Sequence, residues 1–207
     1  MSVRTAVAIS LLALSASVSA AFAQTAERSA TRGFHIGASA NGSSIELSDE
    51  DLDEELSGER ESGPGLTLTA GYNFTSRLGL VLSASAANIS SDDGDYTLGQ
   101  GDLAARYSFA SASRPFVPYV ELGFTTLSAK EEFLDDSIEL RGTGFTGALG
   151  ANYFFTRKLA LDVNFRYTKG EFDTIEIDGE SSTSDDGVGV NTGRLNVGVS
   201  WFPGGGR

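Results

Sequence analysis

The feature that most constrains the fold is a pair of alternating segments between Phe145 and Tyr167. Side chains leave a β-strand on alternate faces, so apolar residues at every second position predict a strand. The alternation pauses at Thr156-Arg157-Lys158 and then resumes, which predicts two paired strands joined by a tight turn. Each strand has about ten residues, roughly the length that a tilted strand needs to cross a bilayer. The apolar positions are Phe145, Leu149, Ala151, Tyr153 and Phe155, then Leu159, Leu161, Val163, Phe165 and Tyr167.

The first residues predict export. Arg4 precedes an apolar run, and small residues then lead to Ala21-Phe22-Ala23. This order is typical of a secretory signal peptide cleaved after Ala23, and the apolar run is too short for a membrane-spanning helix. We therefore expect a signal peptide at 1–23, a lead-in at 24–32, a barrel domain at 33–202 and a short tail at 203–207.

Composition favours a barrel as the membrane-spanning structure. The chain has no cysteine, so a secreted domain must be held together without disulfides. A closed sheet pairs every backbone group and meets that need. No run approaches the roughly twenty apolar residues of a membrane helix, so an integral membrane protein would have to be a β-barrel.

Six further alternating segments give eight strands, joined by three tight turns and four longer loops. We expect the loops at 46–61, 91–95, about 130–139 and about 169–187. Tyr96 and Leu98 disagree in parity with Leu103, which predicts a bulge or twist near Gly99 to Gly101. Eight antiparallel strands form the smallest common barrel. A soluble, lipocalin-like barrel is the alternative and would carry its apolar face inside.

The placement of aromatic residues favours the membrane barrel. Seven aromatics share the apolar faces and lie near the tight-turn ends of their strands, as in a membrane-interface girdle. The opposite faces are rich in Gly, Ser, Thr and Asn, which is too polar for a lipocalin-like core. The predicted fold is all-β, an eight-stranded antiparallel transmembrane β-barrel with short periplasmic turns and long acidic external loops. The girdle residues are Tyr72, Phe74, Tyr107, Phe109, Tyr153, Phe155 and Trp201.

Charge differs between the two ends of the predicted barrel. The net charge is −13, and 24 of the 28 acidic residues fall in the four longer loops. The tight turns carry Arg77, Arg114, Arg157 and Lys158 and no acid. Because outer-membrane barrels have short periplasmic turns, the acidic end is expected outside.

The acidic loops have two interpretations. They are either a hydrated surface, or they bind cationic ligands or divalent cations that bridge to anionic lipopolysaccharide. The run from Asp49 is not an EF-hand, because Glu54 occupies the glycine position and Arg60 the final glutamate position. The candidate cation-binding acids are Asp49, Asp51, Asp53, Asp92, Asp93 and Asp95.

Five charged residues point into the predicted lumen by parity. Arg106 and Glu121 flank one turn at nearly equal distance, so we expect them to form a cross-strand ion pair. Arg166 and Arg194 should lie at similar height, with Asp162 lower. Unpaired charges in a narrow lumen would be costly, which predicts a paired network. Such a network either plugs the barrel or forms a charged constriction that gates a small pore.

Catalysis has little support in the sequence. His35 is the only histidine, and a triad would need it beside a serine and a carboxylate. No motif identifies Ser39 or Ser200 as a nucleophile. We therefore expect no enzyme activity, no cofactor, no metal site and no nucleic-acid partner.

The mature chain resembles the small outer-membrane β-barrel proteins of Gram-negative bacteria, the OmpA/OmpX-like superfamily. The resemblance implies an integral outer-membrane protein that contacts lipid and lipopolysaccharide and is inserted by the barrel assembly machinery. The stretches that carry it are GFHIGASANGSS, PFVPYVELGF, GALGANYFFTRKLALDVNFRY and LNVGVSWF.

The leading hypothesis is a non-enzymatic barrel with a structural or surface-interaction role in the cell envelope. The alternative is a narrow porin-like channel for small solutes. A lipid-modifying barrel enzyme using His35 is third. The sequence identifies no external ligand.

Overall fold

The computed structural model describes residues 32–47, 60–91, 94–109, 115–133, 136–177 and 180–204. Each strand pairs with its chain neighbours, and β1 also pairs antiparallel with β8, which closes the barrel. The predicted eight-stranded antiparallel barrel is confirmed. The predicted signal peptide, residues 24–31 of the lead-in and residues 205–207 lie outside the described residues. The strands are β1 (Gly33–Leu47), β2 (Arg60–Asn73), β3 (Leu78–Ser91), β4 (Gly94–Ser108), β5 (Phe116–Phe133), β6 (Asp136–Phe154), β7 (Leu159–Ile177) and β8 (Glu180–Trp201).

The outward face of the barrel carries a band of exposed apolar side chains. Leu66, Leu122 and Phe145 are each about 70% exposed. An apolar surface of this extent is unfavourable in water and is expected to face lipid. The inward positions of the same strands hold buried Ser, Thr and Asn. Residues in the described part of the chain form no helix long and apolar enough to cross a membrane.

The inner end of the barrel has short turns. The Thr75 side chain accepts hydrogen bonds from the backbone N–H groups of Arg77 and Leu78, and Thr156 does the same for Lys158 and Leu159. A hydroxyl that satisfies two turn amides explains why both turns begin with threonine. The predicted girdle lies beside these turns on the outward face, where three aromatic pairs meet edge to face: Tyr72–Phe74, Tyr107–Phe109 and Tyr153–Phe155. Trp201, at the end of β8, also faces outward.

The strands extend further outward than the sequence predicts. The segments expected as loops at 130–139 and 169–187 are mostly strand, because β5 reaches Phe133 and β7 reaches Ile177. The loops at 46–61 and 91–95 are shortened too, with only 48–59 and 92–93 outside the described residues. The expectation of long loops was wrong there because polar residues on strands above the bilayer were interpreted as loop.

The bulge expected near Gly99 to Gly101 is absent. Pairing of β4 with β3 and with β5 is continuous through these residues. The register shifts that do occur lie between Arg141 and Gly142 and between Phe172 and Thr174. The change in apolar parity along β4 therefore reflects a change of environment along a regular strand.

Above the lipid-facing band, the apolar face of the barrel turns from outside to inside. Leu103 of β4 is exposed to lipid, whereas Leu98 of the same strand is 1% exposed and faces the interior. The outward positions there are polar, so this part of the barrel is built like a water-soluble one. Its packed interior, called the outer core below, consists of Ile45, Ala87, Ile89, Leu98, Leu127, Phe172 and Val190.

A smaller apolar cluster, called the inner floor below, closes the opposite end of the lumen. Its members are Val117, Phe154, Ala160 and Phe202. The Phe202 ring packs on Phe154 at 5.1 Å and stacks on His35 at 5.0 Å between ring centroids. The lumen is thus bounded by apolar side chains at both ends.

Candidate functional site

The middle of the lumen contains a chain of buried charges that begins at Glu121. Arg106 lies directly opposite Glu121 in the β4–β5 register, and its Nε is 2.5 Å from Oε1. The second carboxylate oxygen of Glu121 accepts from Arg166 of β7. Glu121 therefore joins the guanidinium groups of two strands on different sides of the lumen.

Asp102, which was not among the charges predicted to face the lumen, continues this chain. Its Oδ2 is 2.5 Å from the Arg194 guanidinium and 3.6 Å from Arg166 Nε, and it accepts from the Ser83 hydroxyl at 2.7 Å. Arg194 also donates to Ser85. Asp102 shares the parity of Arg106 on β4, so the signal that places it in the lumen was available in the sequence.

Asp162 occupies a different environment from the one predicted. Both of its oxygens lie 3.0 Å from the Tyr119 hydroxyl, and Asn164 donates to Oδ1 at 2.8 Å. Among the described residues it forms no direct salt bridge. The Arg106 guanidinium lies over the Tyr119 ring, 4.0 Å from its centroid. Asp162 thus connects to the Arg106–Glu121 pair through Tyr119.

The Tyr119 ring fits because a glycine lies opposite it. Tyr119 pairs with Gly150 of β6, where an added Cβ would come within 2.5 Å of the tyrosine Cζ. His35 is accommodated in the same way by Gly71 on β2, since a Cβ there would overlap the imidazole. Neither His35 nitrogen has a hydrogen-bond partner in the described structure.

The charges balance within the lumen. Three arginines face three carboxylates, and all six side chains are buried. Burial of charge is costly unless it is compensated by ion pairs or hydrogen bonds. Five of the six groups are joined by direct ion pairs, and Asp162 is hydrogen-bonded to Tyr119 and Asn164. We call Asp102, Arg106, Glu121, Asp162, Arg166 and Arg194 the charge network.

Little empty space remains around the charge network. The cavity lined by Arg106, Arg166 and Arg194 has a volume of about 20 Å³, room for about one water molecule. Neutral polar side chains fill the neighbouring space, with Asn41 donating to Thr67 and Thr67 to Asn196, each at 2.8 Å. Together with the outer core and inner floor, these contacts fill much of the described lumen.

The predicted cation-binding acids lie mainly beyond the structural description. Asp49, Asp51, Asp53, Asp92 and Asp93 fall in segments outside the described residues. Asp95 is exposed near the outer end of β4. Within the described ranges, no group of three or more His, Cys, Asp or Glu side chains is arranged to hold a metal ion.

A closed antiparallel sheet with an apolar outer band and a polar interior defines the protein as a transmembrane β-barrel. Residues 9–201 match the model of the outer membrane protein beta-barrel domain, so the chain belongs to that family. The family implies an outer-membrane location, and the resemblance noted from the sequence is confirmed.

Solved structures with similar folds come from several bacteria. Neisserial surface protein A has a TM-score of 0.61 at 19% identity, over 82% of this chain and 96% of that one. OprG from Pseudomonas aeruginosa has a TM-score of 0.54 at 16% identity, over 84% of this chain and 98% of that one. Ail of Yersinia pestis, solved in complex with the heparin analogue sucrose octasulfate, has a TM-score of 0.51 at 18% identity, over 82% of this chain and 98% of that one. At these identities the similarity concerns the fold. No curated protein sequence matches the chain.

Proposed function

We propose that this protein is a closed, non-enzymatic barrel whose role in the cell envelope is exerted by the part that projects from the outer membrane. The observation that carries the proposal is the filled lumen. The outer core, charge network and inner floor succeed one another along the barrel, and the interior cavity beside the charges has room for about one water. A barrel built in this way offers solutes no path.

The projecting part is a folded structure with its own core. Strands β5 to β8 have 18 to 22 residues, against 14 or 15 in β1 to β4. In the described register, β1 pairs with β8 as far as Val190, and residues 180–183 and 188–189 of β8 pair with β7. This supports a surface-interaction role.

Charge favours a cationic partner. The sequence places 24 of 28 acids in the external segments, and a surface of one sign attracts ligands of the other. The Ail structure contains a polyanion, so the ligand class of that protein does not transfer to this acidic rim.

The environment of His35 supports the absence of catalysis. The imidazole is completely buried between Gly71 and Phe202, and its nitrogens have no hydrogen-bond partner in the described structure. A general base must reach a nucleophile or substrate by a hydrogen bond. An unchanged lipid A profile in both a His35→Ala strain and a deletion strain would agree with a non-enzymatic role, and a changed profile would oppose it.

Conductance of the refolded full chain in a planar bilayer tests the closed lumen. We expect no steady current from the folded wild-type protein, and none from the matched surface variant Thr97→Ala. Steady wild-type current would contradict the proposal.

The surface role needs a separate test in cells. A strain lacking the protein should show altered envelope integrity, detergent sensitivity or adhesion, and restoring the gene should reverse the change. If all three properties are unchanged, the envelope role fails even though the lumen is closed.

The polar middle of the lumen favours one second candidate, a narrow pore that opens transiently. Its inner face holds Asn41, Thr67, Asn164 and Asn196 in one hydrogen-bonded series, groups that could replace the hydration of a small solute. A pore would give current that changes in Arg106→Ala and Glu121→Ala, whereas a closed barrel stays silent in a folded wild-type sample.

A further inference from the structure

An open groove runs along the outer wall of β5, β6 and β7 where these strands leave the lipid-facing band. Phe124 and Phe145 form its lower border, with ring centroids 5.1 Å apart. The groove has a volume of about 560 Å³ and is also lined by Thr143, Lys169 and Glu171. At Thr143 it meets a second groove of about 490 Å³ that reaches Arg141. The wall is therefore recessed over three strands at one end of the apolar band.

The chain itself indicates the depth of this groove in the membrane. On β5 the last outward apolar residue is Phe124, and Leu127 already points into the outer core. On β7 the corresponding residues are Tyr167, facing outward, and Phe172, facing inward. Apolar side chains face lipid below this level and avoid water above it. The groove thus lies at the head groups of the outer leaflet.

Two cationic side chains, Lys169 and Arg141, line the two grooves, in a region that is otherwise acidic. The external segments contain only four cationic residues, and three of them, Lys130, Arg141 and Lys169, lie on the adjacent strands β5, β6 and β7. Arg141 is held by Glu139, with Nε 2.9 Å from Oε1. Lys169 is exposed, pairs in register with Phe145, and forms no hydrogen bond or ion pair with the described residues. Its ammonium group is available to an anion at the membrane surface.

Glu171 restricts which class of anionic ligand the groove can bind. Its carboxylate lines the same groove, opposite Thr143 in the register. A carboxylate repels a bare phosphate but accepts hydrogen bonds from sugar hydroxyls. Lysine and glutamate side by side therefore suit a head group that carries both phosphate and hydroxyls. The exposed rings of Phe124 and Phe145 lie directly below and suit an acyl chain.

We propose that this groove binds a phosphorylated glycolipid of the outer leaflet, with Lys169 contacting the phosphate and Glu171 a sugar hydroxyl. The assignment rests on the proposed orientation, in which the acidic end faces outward. It does not depend on whether the lumen is closed.

Binding of lipid A to the refolded full chain in detergent, measured by native mass spectrometry, tests the site. Lys169→Ala should weaken retention of lipid A by about tenfold or more, the effect of one lost charge-assisted hydrogen bond. Lys158→Ala, which removes an exposed lysine at the opposite end of the barrel, is the matched control and should bind as the wild type does. Phosphatidylglycerol should be retained less well than lipid A by the wild type, and Glu171→Gln should reduce that preference.

Several results would overturn the assignment: equal binding by Lys169→Ala and wild type, an equal loss in Lys158→Ala, or equal retention of lipid A lacking its phosphates. Far-UV circular dichroism of each variant checks that the barrel is folded. If Lys169→Ala conducts no current in a planar bilayer, the closed-barrel proposal stands whatever the lipid-binding result. The two proposals can therefore fail separately.

Discussion

Arg166 and Arg194 lie directly opposite each other on β7 and β8, and Asp102 from β4, across the lumen, binds both. Two like charges in facing positions destabilise a sheet unless an opposite charge intervenes. Asp102 supplies that charge and connects three strands that are not all neighbours in the barrel. Its carboxylate is therefore central to the charge network.

Asp102→Asn is expected to lower the free energy of unfolding by about 3–5 kcal/mol, because it leaves two buried guanidinium groups without their shared counter-charge. Urea unfolding in lipid vesicles measures the change. Asp95→Asn, an exposed position on the same strand, should have little effect. If Asp102→Asn is as mild as Asp95→Asn, the network does not stabilise the barrel.

Gly150→Ala should destabilise the barrel by about 1–3 kcal/mol, since the new methyl group would overlap the Tyr119 ring and the Asn164 Cβ. Gly147→Ala on the same strand is the control, because its nearest neighbour is a flexible Leu122 methyl at 3.4 Å. Unfolding midpoints compare the two variants. Equal midpoints would show that Tyr119 moves aside without cost.

His35→Phe should keep or raise stability, by up to about 1 kcal/mol. The imidazole is buried and stacked on Phe202, and it has no hydrogen-bond partner in the described structure. An apolar ring of similar shape avoids the cost of an unsatisfied polar group. His35→Ala should be destabilising, because it empties the space above the inner floor. A marked loss of stability in His35→Phe would reveal a polar contact of the imidazole.

Leu98→Ala and Leu103→Ala delete the same atoms from opposite faces of β4. Leu98 is packed in the outer core, so its truncation should cost about 2–5 kcal/mol. Leu103 faces lipid, which fills the vacated space, so its truncation should cost less. Urea unfolding of both variants under one condition tests the ranking, and the reverse order would contradict the change of environment along β4.

Tyr96 predicts an alkaline dependence of stability. Its hydroxyl donates to Glu61 at 2.5 Å beside the outer core, and burial, then the Glu61 carboxylate, raises the pKa of this phenol above its usual value. The folded state therefore keeps a proton that the unfolded state loses above about pH 10. Stability conferred in this way is complete below that pH and declines as pH rises. Unfolding of Tyr96→Phe should lose this part of the decline, with Tyr107→Phe as the control. A decline as steep as the wild type's in Tyr96→Phe would assign it to other groups.

Alternation alone was enough to predict the barrel, because lipid outside and polar groups inside impose a period of two on every crossing strand. It also predicted the Arg106–Glu121 pair, since both residues lie equally far from one tight turn. Contacts across the lumen were harder to predict. The approach of Arg194 on β8 to Asp102 on β4 depends on the tilt and stagger of the closed sheet, which no strand reveals by itself.

The errors share one physical origin. Apolar residues were expected to face lipid along the whole of each strand. Leu98 and Tyr96 instead face the barrel interior because they lie above the bilayer. The resulting change in apolar parity along β4 was interpreted as a bulge. The polar outward faces of the same region were likewise interpreted as loops at 130–139 and 169–187.

The change of apolar face along single strands also bears on how reliably the barrel is assembled. A slip of one residue in pairing turns every side chain of a strand to the other face. Here such a slip would bring polar groups into the hydrocarbon and, on the same strand, expose the outer core to water. Misaligned forms are thus destabilised both in the lipid and in the water, which leaves the assembling chain one favourable alignment.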